Sequence, residues 1–130
     1  MDGTDVANIL VEKLLEKGFV VHRYNAHSTS SIYLKLDFGV CCGIRIADHP
    51  GRKKYCYRFN VIKDYVGDKV ILKNDLICRF YDYKELDSVI DAVQNEKQEK
   101  IRKYGFDNYN LYMEKEKNEN ELFTRFKKIS

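Results

Sequence analysis

The chain has no tryptophan, one proline, three histidines and only four cysteines among its 130 residues. Four cysteines do not make a disulfide-stapled miniprotein, because a chain of this length buries roughly two-thirds of its unfolded surface without covalent help. No apolar run approaches the ~18 residues of a membrane span, so no membrane partner is expected. Charge of one sign is also missing: 23 Lys and Arg face 20 Asp and Glu, a net of +3. That balance excludes a strongly basic duplex binder of the histone type. No internal repeat or low-complexity linker divides the chain. Seventeen aromatics (ten Tyr, seven Phe) and 44% apolar residues exclude intrinsic disorder. One globular domain, residues 1–130, is the expectation.

The sequence begins without a basic-then-apolar stretch, so a reducing cytoplasm and free thiols are expected. Cys41, Cys42, Cys56 and Cys78 contain no C-x-x-C spacing. Cys41 and Cys42 are neighbours in a strand-like run, where alternation sends adjacent side chains to opposite faces, so no metal site is expected.

Charge is unevenly spread. Residues 1–19 sum to −2, residues 20–80 to +6 and residues 81–130 to −1. A basic middle suits an anionic ligand; equally, lysine and arginine keep an exposed face soluble.

Val6, Ile9, Leu10 and Leu14 recur at helical spacing, with Asp5 in the first turn and Gly18 as a stop. Residues 19–24 read as a strand and residues 25–30 as a loop. Strict alternation then puts Ile32, Leu34 and Leu36 on one face and Ser31, Tyr33, Lys35 and Asp37 on the other. Asp37-Phe38-Gly39 is a tight connection to a partner strand with Cys42, Ile44 and Ile46 inward and Gly43, Arg45 and Ala47 outward. After the break at Pro50 and Gly51, Tyr55, Tyr57, Phe59 and Val61 alternate as a further strand, and apolar pieces at 69–72 and 76–81 complete an antiparallel meander.

From Asp82 the period becomes helical. Leu86, Val89, Ile90, Val93 and Ile101 form a stripe, Asp82 and Glu85 suit a capping box, and Gly105 ends the helix. Residues 107–130 form a second helix whose apolar residues, Leu111, Leu122, Phe123 and Phe126, are interrupted by the polar run 114–121. Such a gapped stripe suggests packing on another copy of the chain. The expected class is α+β: an N-terminal helix, an antiparallel meander and two C-terminal helices.

Four candidate groups carry chemistry. Arg45, Arg52, Lys53 and Lys54 are candidate phosphate contacts. Asp48 and His49, ending a strand beside Pro50, suit a ribose hydroxyl; they equally suit a turn, because Asp48 can bond turn backbone and a residue before proline prefers to be extended. Phe80 or Tyr81, with Arg102, forms a candidate base sandwich, although such aromatics also serve as core. Tyr33, Lys35 and Arg45 share an outward face, where an anion would meet charge and an aromatic ring together. No nucleophile elbow, Walker loop, zinc-protease motif or dinucleotide fingerprint occurs, so neither enzymatic activity nor a cofactor is expected.

The segment S-x-Y-L-x-L-x-x-G (Ser31, Tyr33, Leu34, Leu36, Gly39) leading into I-R-I-A-D-H (Ile44 to His49) resembles small phage proteins, among them the sponge family that defeats Thoeris immunity. The order of elements is similar too. The resemblance implies a non-enzymatic homo-oligomer, working in the host cytoplasm, that sequesters cyclic ADP-ribose isomers made by TIR enzymes, with some members taking cyclic oligonucleotides. Two other readings stand beside it. One is a phage binding module or anti-CRISPR-type inhibitor contacting nucleic acid or a nucleic-acid-binding effector, although the weak net charge makes nucleic acid the lesser partner. The other is an orphan enzyme with His49 as general base.

Overall fold

A computed structural model describes residues 3–25, 31–46, 57–59, 62–67, 69–73, 81, 83–123 and 127–128, with side chains for 3–25, 31–46, 65–67, 69, 81 and 83–118. Helix α1 (Gly3–Glu16) buries Val6, Leu10 and Leu14, four residues apart on one face. It ends as its glycine predicts. Gly18 adopts a φ of 85°, its N–H donates to Leu15 O, and the Phe19 N–H donates to Leu14 O, which together form a Schellman cap.

Strands β1 (Val21–Asn25), β2 (Ile32–Leu36), β3 (Cys42–Ile46) and β4 (Tyr57–Phe59) pair antiparallel in chain order, so the predicted meander holds for these four. The later strands depart from it. Strands β5 (Ile62–Val66) and β6 (Lys69–Lys73) form a separate hairpin, and a short C-terminal strand β7 (Lys127–Lys128) closes the other edge of the sheet on β1. Of the strand expected over residues 55–61, residues 57–59 form β4; residues 55, 56, 60, 61 and 76–80 lie outside the described residues.

Ile32, Leu34, Leu36, Cys42, Ile44 and Ile46 are buried as the alternation predicts. They meet α1 and Val89, Ile90 and Val93 of helix α2 (Leu86–Tyr104) on one face of the sheet. A short 3-10 turn (Tyr83–Glu85) leads into α2. Glu85 caps α2 without a side-chain hydrogen bond, and Asp82, its expected partner in a capping box, lies outside the described residues. Gly105, at φ 86°, separates α2 from helix α3 (Phe106–Phe123). The class is α+β: an N-terminal helix, an antiparallel sheet and two C-terminal helices. Among the described residues, no helix is long and apolar enough to cross a membrane.

Helix α3 is seated differently from the sequence expectation. Leu111 is 63% exposed, whereas Tyr109 is fully buried, and with Val40 and Tyr65 it forms a second small core beside Ile101, Tyr104, Tyr112 and Met113. Tyr65 attaches the β5–β6 hairpin to this core: its ring stacks on Tyr112 at 4.5 Å and its hydroxyl donates to Glu116 Oε1 at 3.1 Å. A tyrosine with an apolar body and a polar tip can anchor a helix that lacks a leucine stripe. The side chains of Leu122, Phe123 and Phe126 lie outside the described residues.

Candidate functional site

The face of the sheet opposite α1 and α2 carries the residues the sequence directs outward. Register sets Tyr24 opposite Tyr33, Tyr33 opposite Arg45, Lys35 opposite Gly43, and Arg45 opposite the Arg58 position of β4. The Tyr24 and Tyr33 rings lie 6.0 Å apart at 28°, and the Arg45 guanidinium sits 5.7 Å from the Tyr33 centroid. Arg45 also donates from Nη2 to Ser31 Oγ at 3.2 Å, and Ser31 is buried. A guanidinium held by a buried hydroxyl and an aromatic ring loses less freedom on meeting an anion than one swinging in water.

Gly43 completes the geometry. It occupies the corner of a four-residue square with Tyr33, Lys35 and Arg45, and its missing side chain leaves a gap between two cations. Cross-strand spacing of roughly 5 Å and same-strand spacing of roughly 7 Å make the gap phosphate-sized. All four residues are half-buried, and the described residues of this face carry no carboxylate. The face therefore offers an aromatic layer, two cations and a glycine backbone that no side chain of the described residues crowds. At its far end His22 is covered by Phe38, ring to ring at 4.9 Å, which bounds the accessible area.

The other expected contacts are not gathered here. Asp48, His49, Arg52, Lys53, Lys54 and Phe80 lie outside the described residues. Tyr81 packs against the main core below the sheet. Arg102 is exposed near the end of α2, about 24 Å along the helix from Leu86, and pairs with Glu99 at 2.6 Å. Tyr81 and Arg102 are thus not brought together as a base sandwich, because one serves the core and the other the surface. Tyr24, at the edge of the sequence-assigned strand, was not singled out by sequence, although its alternation with His22 carried the signal.

A second constellation surrounds the turn between β2 and β3. Asp37, Phe38 and Gly39 all have positive φ, at 52°, 58° and 89°, so this connection is a left-handed 3-10 turn rather than a tight hairpin. Non-glycine residues there cost on the order of 1–3 kcal/mol each, and the surroundings must compensate. Asp37 is completely buried. Its carboxylate accepts from Tyr109 Oη at 2.6 Å and from the Val20 N–H at 2.9 Å, and it pairs with Lys97 Nζ at 3.0 Å. Burial first, then the negative charges of Cys41 and Asp37, push the Tyr109 phenol far above its ordinary range, so it stays a donor. Lys100 Nζ donates to Val40 O at 2.5 Å and Cys41 O at 3.0 Å, tying α2 to the same turn.

This turn corrects the cysteine geometry. Cys41 precedes β3 and is not subject to strand alternation; its thiol, the Cys42 thiol and a Glu96 carboxylate oxygen all lie within 4.8 Å of one another. Both cysteines are buried free thiols. Burial pushes the Cys42 thiol up, its hydrogen bond with Cys41 and the charges of Cys41 and Glu96 push it further, and Lys100 opposes them.

No protein-family model, curated protein or solved structure matches this chain.

Proposed function

We propose that the protein is a non-catalytic binder of a small cyclic nucleotide, and that the face of Tyr24, Tyr33, Lys35, Gly43 and Arg45 forms part of its binding surface. The observation that carries the reading is the layered Arg45–Tyr33–Tyr24 arrangement beside the Gly43 gap: a phosphate would sit between Lys35 and Arg45 while a base or ribose edge lies on the rings. The resemblance to the Thoeris sponge family makes cyclic ADP-ribose isomers the first ligands to try, with a phage anti-defence role in the host cytoplasm. Further cations at Arg52, Lys53 and Lys54, Asp48 and His49 for a ribose, and Phe80 for a base, belong to the same proposal. A homo-oligomer is part of it too, supported by the exposed Phe106 and Leu111 on α3.

Calorimetry with a panel of TIR- and cyclase-derived cyclic nucleotides tests the reading, followed by heating and chromatography of the released ligand. Binding with unchanged ligand recovered is the expected result. No heat with any member, or conversion of the ligand, overturns it. Salt separates it from nucleic-acid binding: a surface neutralising six to ten phosphates loses about 10³–10⁵ in affinity between 50 and 200 mM salt, and a site for one or two phosphates loses far less.

A further inference from the structure

We propose that Cys41, Cys42 and Glu96 form a site for a single zinc ion, with its fourth coordination position open. The three donor atoms lie within 4.8 Å of one another, contributed by the end of the β2–β3 turn, the first residue of β3, and the middle of α2. Zinc–sulfur bonds of about 2.3 Å in a tetrahedron place two sulfurs roughly 3.8 Å apart, so closing on an ion needs movements below about 1 Å. Two thiolates and a carboxylate suit zinc, which binds sulfur and oxygen donors in a tetrahedron without a preference imposed by d-electrons.

Charge distinguishes zinc from a monovalent soft ion. Two thiolates and one carboxylate sum to −3, and Lys100, whose Nζ lies 3.8 Å from Glu96 Oε1, contributes +1. A divalent ion brings the buried assembly to zero, whereas Cu(I) leaves it at −1 in a place where uncompensated charge is costly. Lys100 donates to the carbonyls of Val40 and Cys41, so it can remain beside the ion without displacing it. The thiols are buried and the Glu96 side chain is 29% exposed, which gives the ion an approach from the α2 surface. On binding, the metal replaces both thiol protons, and about two protons leave for each ion. Because Cys41 and Cys42 are neighbours in the chain and Glu96 lies on α2, the ion would tie α2 to the turn and the start of β3.

The test uses the reduced, metal-free full chain titrated with Zn²⁺ against a chromophoric zinc indicator, with Co²⁺ as a spectroscopic stand-in. One ion per chain, a thiolate-to-cobalt charge-transfer band and a zinc-dependent rise in melting temperature are expected. Cys42→Ala should abolish uptake. Glu96→Gln, at a partly exposed position that leaves folding intact, should weaken it at least tenfold and remove the thermal shift. No uptake by the folded wild-type chain overturns the proposal, and so does uptake unaffected by Glu96→Gln. A chain that loses two hydrogens on oxidation, through a Cys41–Cys42 disulfide, yet takes no zinc once reduced also overturns it.

Discussion

Replacing Tyr109 by phenylalanine removes one oxygen and leaves the ring that fills the second core. That oxygen donates to Asp37 Oδ2 at 2.6 Å inside a site with no solvent exposure, and Asp37 keeps its Lys97 ion pair and its Val20 N–H bond. Hydrogen bonds to a charged acceptor contribute about 1.5–3 kcal/mol; the surviving partners keep the loss near 2 kcal/mol, and the void left by one oxygen adds little. With an unfolding entropy of about 2.1 cal/mol/K per residue, a chain of this length should melt about 7 °C lower. Urea unfolding followed by circular dichroism should show a lower midpoint at unchanged slope. A double-mutant cycle with Asp37→Asn isolates the pair. Singles that add within about 0.3–0.5 kcal/mol would mean that the hydroxyl and the carboxylate do not act together, and the buried network would be refuted as a stabilising unit.

Four further outcomes are expected. Arg45→Ala should weaken nucleotide binding by about 1.5–3 kcal/mol with little loss of stability, and Arg45→Lys should restore only part, because lysine lacks the bidentate fork; equal calorimetric affinities for wild type and Arg45→Ala would return the residue to a solvated surface role. Gly43→Val should fold, since among the described residues a Cβ there meets only Leu34 O at an ordinary 3.7 Å, yet lose ligand affinity as it fills the gap; unchanged binding would remove Gly43 from the site. Stability should fall as pH rises past 9.0 and then 10.0, the ordinary values of the Cys42 and Tyr109 groups, because both are raised in the folded chain and the unfolded chain releases those protons first; in alkaline melts Tyr109→Phe should flatten the second fall. Truncation after Gly105 should lower thermal stability through loss of the Tyr109–Asp37 contact and of β7, and light scattering should show the truncated chain less assembled than the full chain; a full-length monomer at micromolar concentration would refute the proposed assembly.

What the sequence determined by itself is local. The alternation of Ile32, Leu34 and Leu36 with Tyr33 and Lys35 sets which face is core, because strand geometry repeats every two residues whatever lies beyond. The spacing of Val6, Leu10 and Leu14 and the cap at Gly18 likewise specify α1 from within a few turns of chain. Part of the candidate face was legible for the same reason: Tyr33, Lys35 and Arg45 are outward by alternation alone. Tertiary structure decided everything that joins distant positions. Nothing near Asp37 announces that Tyr109, 72 residues later, will donate to its buried carboxylate, or that Lys97 will pair with it. The gapped stripe of α3 did not show how the helix is seated on its own chain, because apolar periodicity does not register a tyrosine that buries its ring while bonding its tip. Alternation placed Cys41 and Cys42 apart because it assumes both lie in the strand. The left-handed turn before β3 takes Cys41 out of that pattern and brings both thiols to Glu96, a proximity set by how α2 packs on the sheet rather than by any local repeat.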